Sequence, residues 1–169
     1  MTGVLLAMLI LLAGEPIEVV AQKGPVKATI TLAPSEPVIG DTVTLTLRVT
    51  AQKDVELLLP EFGQMLDQYA IIDYSTTQTI DAEGNTIAQQ QYELQLARSG
   101  KQSIAPIMVE FVDRRAGSKP APEDMDAYEL LTQRLAFEVK SVLPADANAP
   151  MHPPLGELAP LPTIESASK

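Results

Sequence analysis

The stretch Thr42-Val43-Thr44-Leu45-Thr46-Leu47-Arg48-Val49-Thr50 alternates polar and apolar residues without a break, directly after Gly40-Asp41. A period of two sends successive side chains to opposite faces of a strand, so one face is buried and the other wet. The β-branched Thr and Val also suit a pleated surface. This segment predicts an all-β chain, and the rest of the sequence follows the same grammar.

Upstream, Ala28, Ile30 and Leu32 alternate with Lys27, Thr29 and Thr31 to give a first strand. Pro34-Ser35-Glu36-Pro37 ends it, and Gly40-Asp41 turns the chain into the Thr-rich strand. Val55 to Leu59 is a short strand stopped by Pro60, Gln64 to Gln68 a helical turn or loop, and Tyr69 to Ile80 a long strand. Asp81-Ala82-Glu83-Gly84-Asn85 forms a hairpin loop, with Gly84 and Asn85 able to take positive φ. The return strand, Thr86 to Ala97, directs Tyr92, Leu94 and Leu96 to the core and Gln91, Glu93 and Gln95 to the other face. After a turn at Ser99-Gly100-Lys101, Ile104, Ile107, Val109 and Phe111 are core positions of one further strand, with Pro106 near its start. Arg114 to Asp126 is a long polar loop. Leu135, Phe137 and Val139 mark the closing strand, and Leu130-Leu131 belong to it or to a helical turn leading in.

About seven antiparallel strands at hairpin spacing, with no βα alternation, predict an Ig-like or fibronectin-type β-sandwich over residues 22–143, with a barrel as the alternative. Beyond Leu143 lie six of the chain's 14 prolines and no period, so 144–169 is expected to be a disordered, Pro-rich tail or linker. At the other end, Val4 to Ala13 is a continuous apolar run. As a helix it would span roughly 15 Å, about half a bilayer's hydrocarbon core, which suits the h-region of a secretory signal. Val19-Val20-Ala21 supplies small residues for a signal peptidase, so residues 1–21 read as a signal peptide cut before Gln22. A buried N-terminal strand or helix is the competing reading of this segment. No transmembrane helix is expected after the signal.

The residues that usually perform catalysis are scarce. There is no Cys, which excludes disulfides, thiolate nucleophiles and Cys-ligated metals. The single His, His152, lies among prolines in the tail, leaving no material for a Ser-His-Asp triad or a multi-His metal site. A net charge of −10 argues against nucleic acid, whose phosphates need clustered Lys and Arg. The adjacent pair Arg114-Arg115 is a weak patch for an acidic partner or lipid headgroups.

The order of elements resembles a known family. Pro34-x-x-Pro-x-x-Gly-Asp-x-Val43 precedes an alternating strand, followed by Leu59-Pro-x-Phe62, the hairpin around Asp81 to Thr86, and a Tyr-x-Leu strand into Arg98-Ser99-Gly100. Ile104-Ala-Pro-Ile107 comes next. Over residues 26 to 142 this is similar to the periplasmic Ig-like repeats of the BatD family, the oxygen-tolerance or aerotolerance proteins. The resemblance implies an exported, non-enzymatic module of the cell envelope acting beside von Willebrand A-domain proteins. It carries no catalytic or binding residues with it. Family members usually hold several repeats and a later transmembrane helix, and no such helix occurs before Lys169.

Other constellations yield less. Glu123-Asp124-Met125-Asp126 with Glu129 could hold Ca²⁺ through oxygen ligands, but it lacks the Asp-x-Asp-x-Asp-Gly frame and reads better as a solvated loop. Asp73 and Glu93 could face each other as a glycosidase pair, though no cleft is implied. Met65, Met108 and Met125 could form an adaptable surface, with peripheral packing the simpler reading. The Gln face (Gln89, Gln90, Gln91, Gln95) is expected to be solvated. The expectation is a non-catalytic protein-binding module with no cofactor and no metal, its edges being the first strand, Lys27 to Leu32, or the closing strand, Leu135 to Lys140. The alternative is a carbohydrate- or Ca²⁺-binding sandwich. The absence of Trp, with Tyr92 read as core, weighs against a sugar platform.

Overall fold

The computed structural model describes residues 15–119 and 127–143. Every regular element in them is a strand: β1 Ile17–Lys23, β2 Val26–Ala33, β3 Thr42–Ala51, β4 Val55–Leu58, β5 Ala70–Ile80, β6 Thr86–Gln95, β7 Gly100–Ile104, β8 Met108–Asp113, β9 Tyr128–Leu131 and β10 Leu135–Val139. All ladders between them are antiparallel, so the predicted all-β sandwich holds, with ten strands in place of about seven. One layer is a five-stranded sheet in the order β1-β2-β3-β6-β5. The other consists of β4-β8-β9 and the pair β10-β7.

The alternation in β3 does what period two demands. Val43, Leu45, Leu47, Val49 and Ala51 are buried, and Ala28, Ile30 and Leu32 of β2 join them from the neighbouring strand. Leu94 and Tyr92 of β6 continue the layer, and Ile104, Val109, Phe111, Leu130, Leu135 and Phe137 close it from the second layer. Each such Leu, Ile or Phe contributes about 1.5–3 kcal/mol of burial, which lets a chain with few aromatics and no disulfide hold one core. The Gly40-Asp41 turn is fastened on both sides. Gly40 takes φ 92° and donates its N–H to Leu96, while Asp41 Oδ2 accepts the Val38 N–H at 2.8 Å.

Four features differ from the sequence reading. First, a strand precedes the expected first one. Ile17–Lys23 pairs with β2 along its whole length, and Ile17, Val19 and Ala21 pack on the core. The boundary drawn between residues 21 and 22 therefore divides β1, and the paired unit begins at Ile17. The apolar run of residues 4–13 and the tail 144–169, His152 included, lie outside the described residues.

Second, the single strand expected from Ile104 to Phe111 is two strands, and Leu130-Leu131 belong to the separate strand β9. Pro106 has no N–H for a ladder. Yet the register survives the break. Ile104 faces Leu135 and Met108 faces Leu131, four residues on in each direction. Between them, Thr132 N–H donates to the Ile107 carbonyl at 2.9 Å, and the Thr132 hydroxyl accepts the Ile107 N–H at 2.8 Å. The hydroxyl stands in for a carbonyl, so the second layer is in effect one interrupted three-stranded sheet.

Third, Gln90 is buried, not solvated. Three consecutive glutamines cannot share one face of a strand. Gln90 points inward, donates Nε2–H to the Pro60 carbonyl at 3.0 Å, and accepts the Tyr92 hydroxyl at 3.4 Å. Fourth, Gly84 has φ 86° in the β5–β6 hairpin, whereas Asn85 stays at ordinary φ and is held by Asp81.

Candidate functional site

The strand edges differ sharply in how well they are covered. The expected edge Lys27–Leu32 is internal, because β1 and β3 pair with β2 on both sides. Edge strand β1 is tied across to the second layer, where Lys23 Nζ donates to the Glu129 carbonyl at 2.9 Å and lies 6.0 Å from the Tyr128 ring centre. The closing strand β10 has β7 on one side. Its other side is engaged at its end, where Val38 bridges Lys140 and Lys140 Nζ meets Glu36 Oε2 at 2.6 Å. The hydrogen bond from Lys140 holds the Glu36 carboxyl below its ordinary range. Strand β4 is only four residues long, and Arg114 Nη2 and Nε secure its Glu56 at 2.6 and 3.0 Å.

Strand β5 is different. It runs eleven residues, pairs only with β6 among the described residues, and is exposed on both faces from Ser75 to Ile80. No ionisable side chain, proline or lysine occurs in Ser75–Ile80, so the usual devices that blunt an edge are missing there. A register shift between Ile71 and Asp73 interrupts the opposite end. The orientation of its backbone follows from the hairpin. Asp81 N–H donates to the Asn85 carbonyl at 3.0 Å, which makes Asp81–Asn85 a hydrogen-bonded pair. Bonded and non-bonded pairs alternate along an antiparallel ladder, and the pairing Ile80–Thr86, Gln78–Ala88, Thr76–Gln90, Tyr74–Tyr92 is unbroken. The N–H and C=O groups of Tyr74, Thr76, Gln78 and Ile80 therefore point outward, and those of Ser75, Thr77 and Thr79 point to β6.

The segment between β4 and β5 supports this strand. Leu66 plugs the core, Tyr69 Oη and Gln68 Nε2 both donate to the Ser103 carbonyl of β7, and Phe62 packs edge-on to Tyr74 at 4.9 Å between ring centres. Burial raises the Tyr69 and Tyr92 phenols above their ordinary pKa. Phe62 itself remains 61% exposed and Ile72 and Ile80 are 55% and 72% exposed, so apolar side chains flank the open edge.

The other candidates are accounted for structurally. Asp73 and Glu93 do face each other across β5 and β6, but neither lines a described concavity, and Asp73 Oδ1 accepts the Tyr74 N–H. Arg115 is held by Asp113 Oδ1 and Oδ2 at 2.9 and 2.8 Å and by Gln52 at 2.6 Å, which lowers the Asp113 pKa and raises that of Arg115. Arg114 is spent on Glu56, so the pair makes no free basic patch. Asp81 accepts from the Asn85 side chain and from the N–H groups of Asn85 and Glu83, and these bonds hold its carboxyl below the ordinary range. Met65 (φ 68°) is exposed and Met108 half-buried on separate elements. Met125 and the carboxylates Glu123, Asp124 and Asp126 lie outside the described residues. An open hollow of about 770 Å³ at one end of the sandwich has mixed walls that include Lys27, Lys53, Asp54, Glu83 and Arg115. Among the described residues no group of three or more His, Cys, Asp or Glu is placed to hold a metal, and no helix is long and apolar enough to cross a membrane. No protein-family model, curated protein or solved structure matches the chain.

Sequence reasoning missed β5 as the edge because edge status is a property of sheet order. A signal was nevertheless present: Ser75-Thr-Thr-Gln-Thr79 carries β-forming residues without the apolar alternation that a covered strand needs.

Proposed function

We propose that this chain is an exported, non-catalytic protein–protein interaction module of the cell envelope, of the kind its resemblance to the BatD Ig-like repeats implies, and that it binds through the outer edge of β5. Envelope proteins, von Willebrand A-domain proteins among them, are the proposed partners. The observation that carries this reading is the eleven-residue strand whose outward N–H and C=O groups have no ladder partner among the described residues. A partner strand laid alongside would satisfy those groups, with backbone bonds supplying affinity and flanking side chains supplying selection. Phe62, Ile72 and Ile80 add apolar contact at the rim.

The test exploits the alternation of the ladder. Proline at Gln78 removes an outward donor and leaves the bonds to β6 intact, whereas proline at Thr77 breaks the sheet itself. Envelope cross-linking and pull-down with the wild type and Gln78→Pro, both checked by circular dichroism, should show capture lost in the folded variant. Undiminished capture by folded Gln78→Pro contradicts binding through this edge.

A further inference from the structure

We infer that the strand received by β5 is the β5 of a second copy of this chain, antiparallel and centred on Thr76. The inference rests on the edge-pairing reading and names its occupant. At net −10, two copies repel over most of their surfaces, and Ser75–Ile80 is a fully exposed edge segment with no ionisable side chain. It is where two strand edges of this chain can meet without opposing like charges.

Charge also excludes two neighbouring registers. A two-fold axis at Thr77 would set Asp73 against Asp81, and one at Gln78 would set Asp73 against Glu83. Like charges directly opposite each other destabilise a ladder. An axis at Thr76 opposes Thr76 to itself, Ser75 to Thr77, Tyr74 to Gln78 and Asp73 to Thr79, with no like charges facing. The outward groups agree with this choice, because Thr76 then pairs with itself and Tyr74 with Gln78 as hydrogen-bonded pairs, the Tyr74 N–H turning from Asp73 Oδ1 to the ladder. The same register brings Ile80 of one copy opposite Ile72 of the other, the two apolar side chains that β5 leaves most exposed. Joining the five-stranded sheets edge to edge gives a continuous ten-stranded sheet through an isologous contact, as a closed two-fold dimer requires.

The absence of cysteine makes the register directly readable. In the protein recovered from producing cells, Thr76→Cys introduces the sole thiol. Opposed residues of a hydrogen-bonded pair lie about 5.5 Å apart at Cα, within the range a disulfide spans. Two copies of residue 79 would lie roughly 20 Å apart at strand rise. Mild oxidation should therefore yield a covalent dimer from Thr76→Cys and none from Thr79→Cys. Light scattering should give twice the chain mass for the wild type and the single chain mass for Thr76→Lys, which opposes two ammonium groups at the axis. A wild type that is monomeric at every concentration, or equal cross-linking by the two cysteine variants, overturns the inference. If the wild type is monomeric yet Gln78→Pro abolishes capture of an envelope protein, self-pairing is wrong and the edge reading survives. If the dimer forms as described while Gln78→Pro leaves envelope capture unchanged, self-pairing stands and the wider binding role through this edge fails.

Discussion

Replacing Thr132 by Val tests the mechanism that keeps the second layer in register. The Thr132 hydroxyl accepts the Ile107 N–H at 2.8 Å while the Thr132 N–H donates to the Ile107 carbonyl at 2.9 Å, and the two residues are only 4% and 3% exposed. Valine matches threonine in shape, so no cavity opens. What changes is that a buried backbone donor loses its acceptor, at a cost of about 1–3 kcal/mol. At roughly 4 °C per kcal/mol for a domain of this size, melting should fall by roughly 4–12 °C. Thr132→Ser keeps the hydroxyl and gives up one methyl, a loss of about 0.8 kcal/mol, so it should lie between Val and the wild type. Urea unfolding followed by circular dichroism, with calorimetry, measures all three. A Val variant within about 0.5 kcal/mol of the wild type, or one more stable than Ser, refutes the claim that this hydroxyl closes the interrupted ladder.

Two further outcomes follow from the same contacts. For the exported form proposed above, intact-mass measurement should find an N-terminus that retains Ile17, because a cut after Ala21 would remove three core-packing residues and leave β2 as an edge; a chain starting at Gln22 contradicts this. Asp81 is held below its ordinary pKa by the hairpin bonds, so its stabilising effect is complete above the ordinary Asp range and is lost as pH falls through the lowered folded value. Asp81→Ala should therefore be less stable than the wild type at pH 7, with the gap closing in acid, and urea midpoints that differ by the same amount at every pH would refute the assignment.

Much of the fold was legible because local rules and tertiary structure agree in it. The alternation of β3, the Gly40-Asp41 turn, the stop at Pro60 and the Asp81–Asn85 hairpin each follow from period or turn chemistry alone, and the structure places them as read. Strand β1 was obscured because Val19-Val20-Ala21 satisfies a peptidase as well as it satisfies a sheet. Pro106 reads as tolerable near the start of one strand, so the break it makes was missed, and that Thr132 bridges it is not legible locally, since the bond joins residues 25 apart in sequence. Gln90 was misread by composition, where the period of two already directed it inward. The edge was the least legible feature. Which strand lacks a neighbour depends on sheet order, and β1 had to be found before β2 could become internal.

Residue-resolved amide hydrogen exchange directly reads the outward backbone groups of β5, the proposed binding surface. In dilute, unpartnered protein the amides of Thr76 and Gln78 should exchange freely while those of Ser75 and Thr77 are protected by β6, and binding should protect Thr76 and Gln78 selectively. A bound complex in which Thr76 and Gln78 still exchange as fast as in the free protein would contradict binding through this edge.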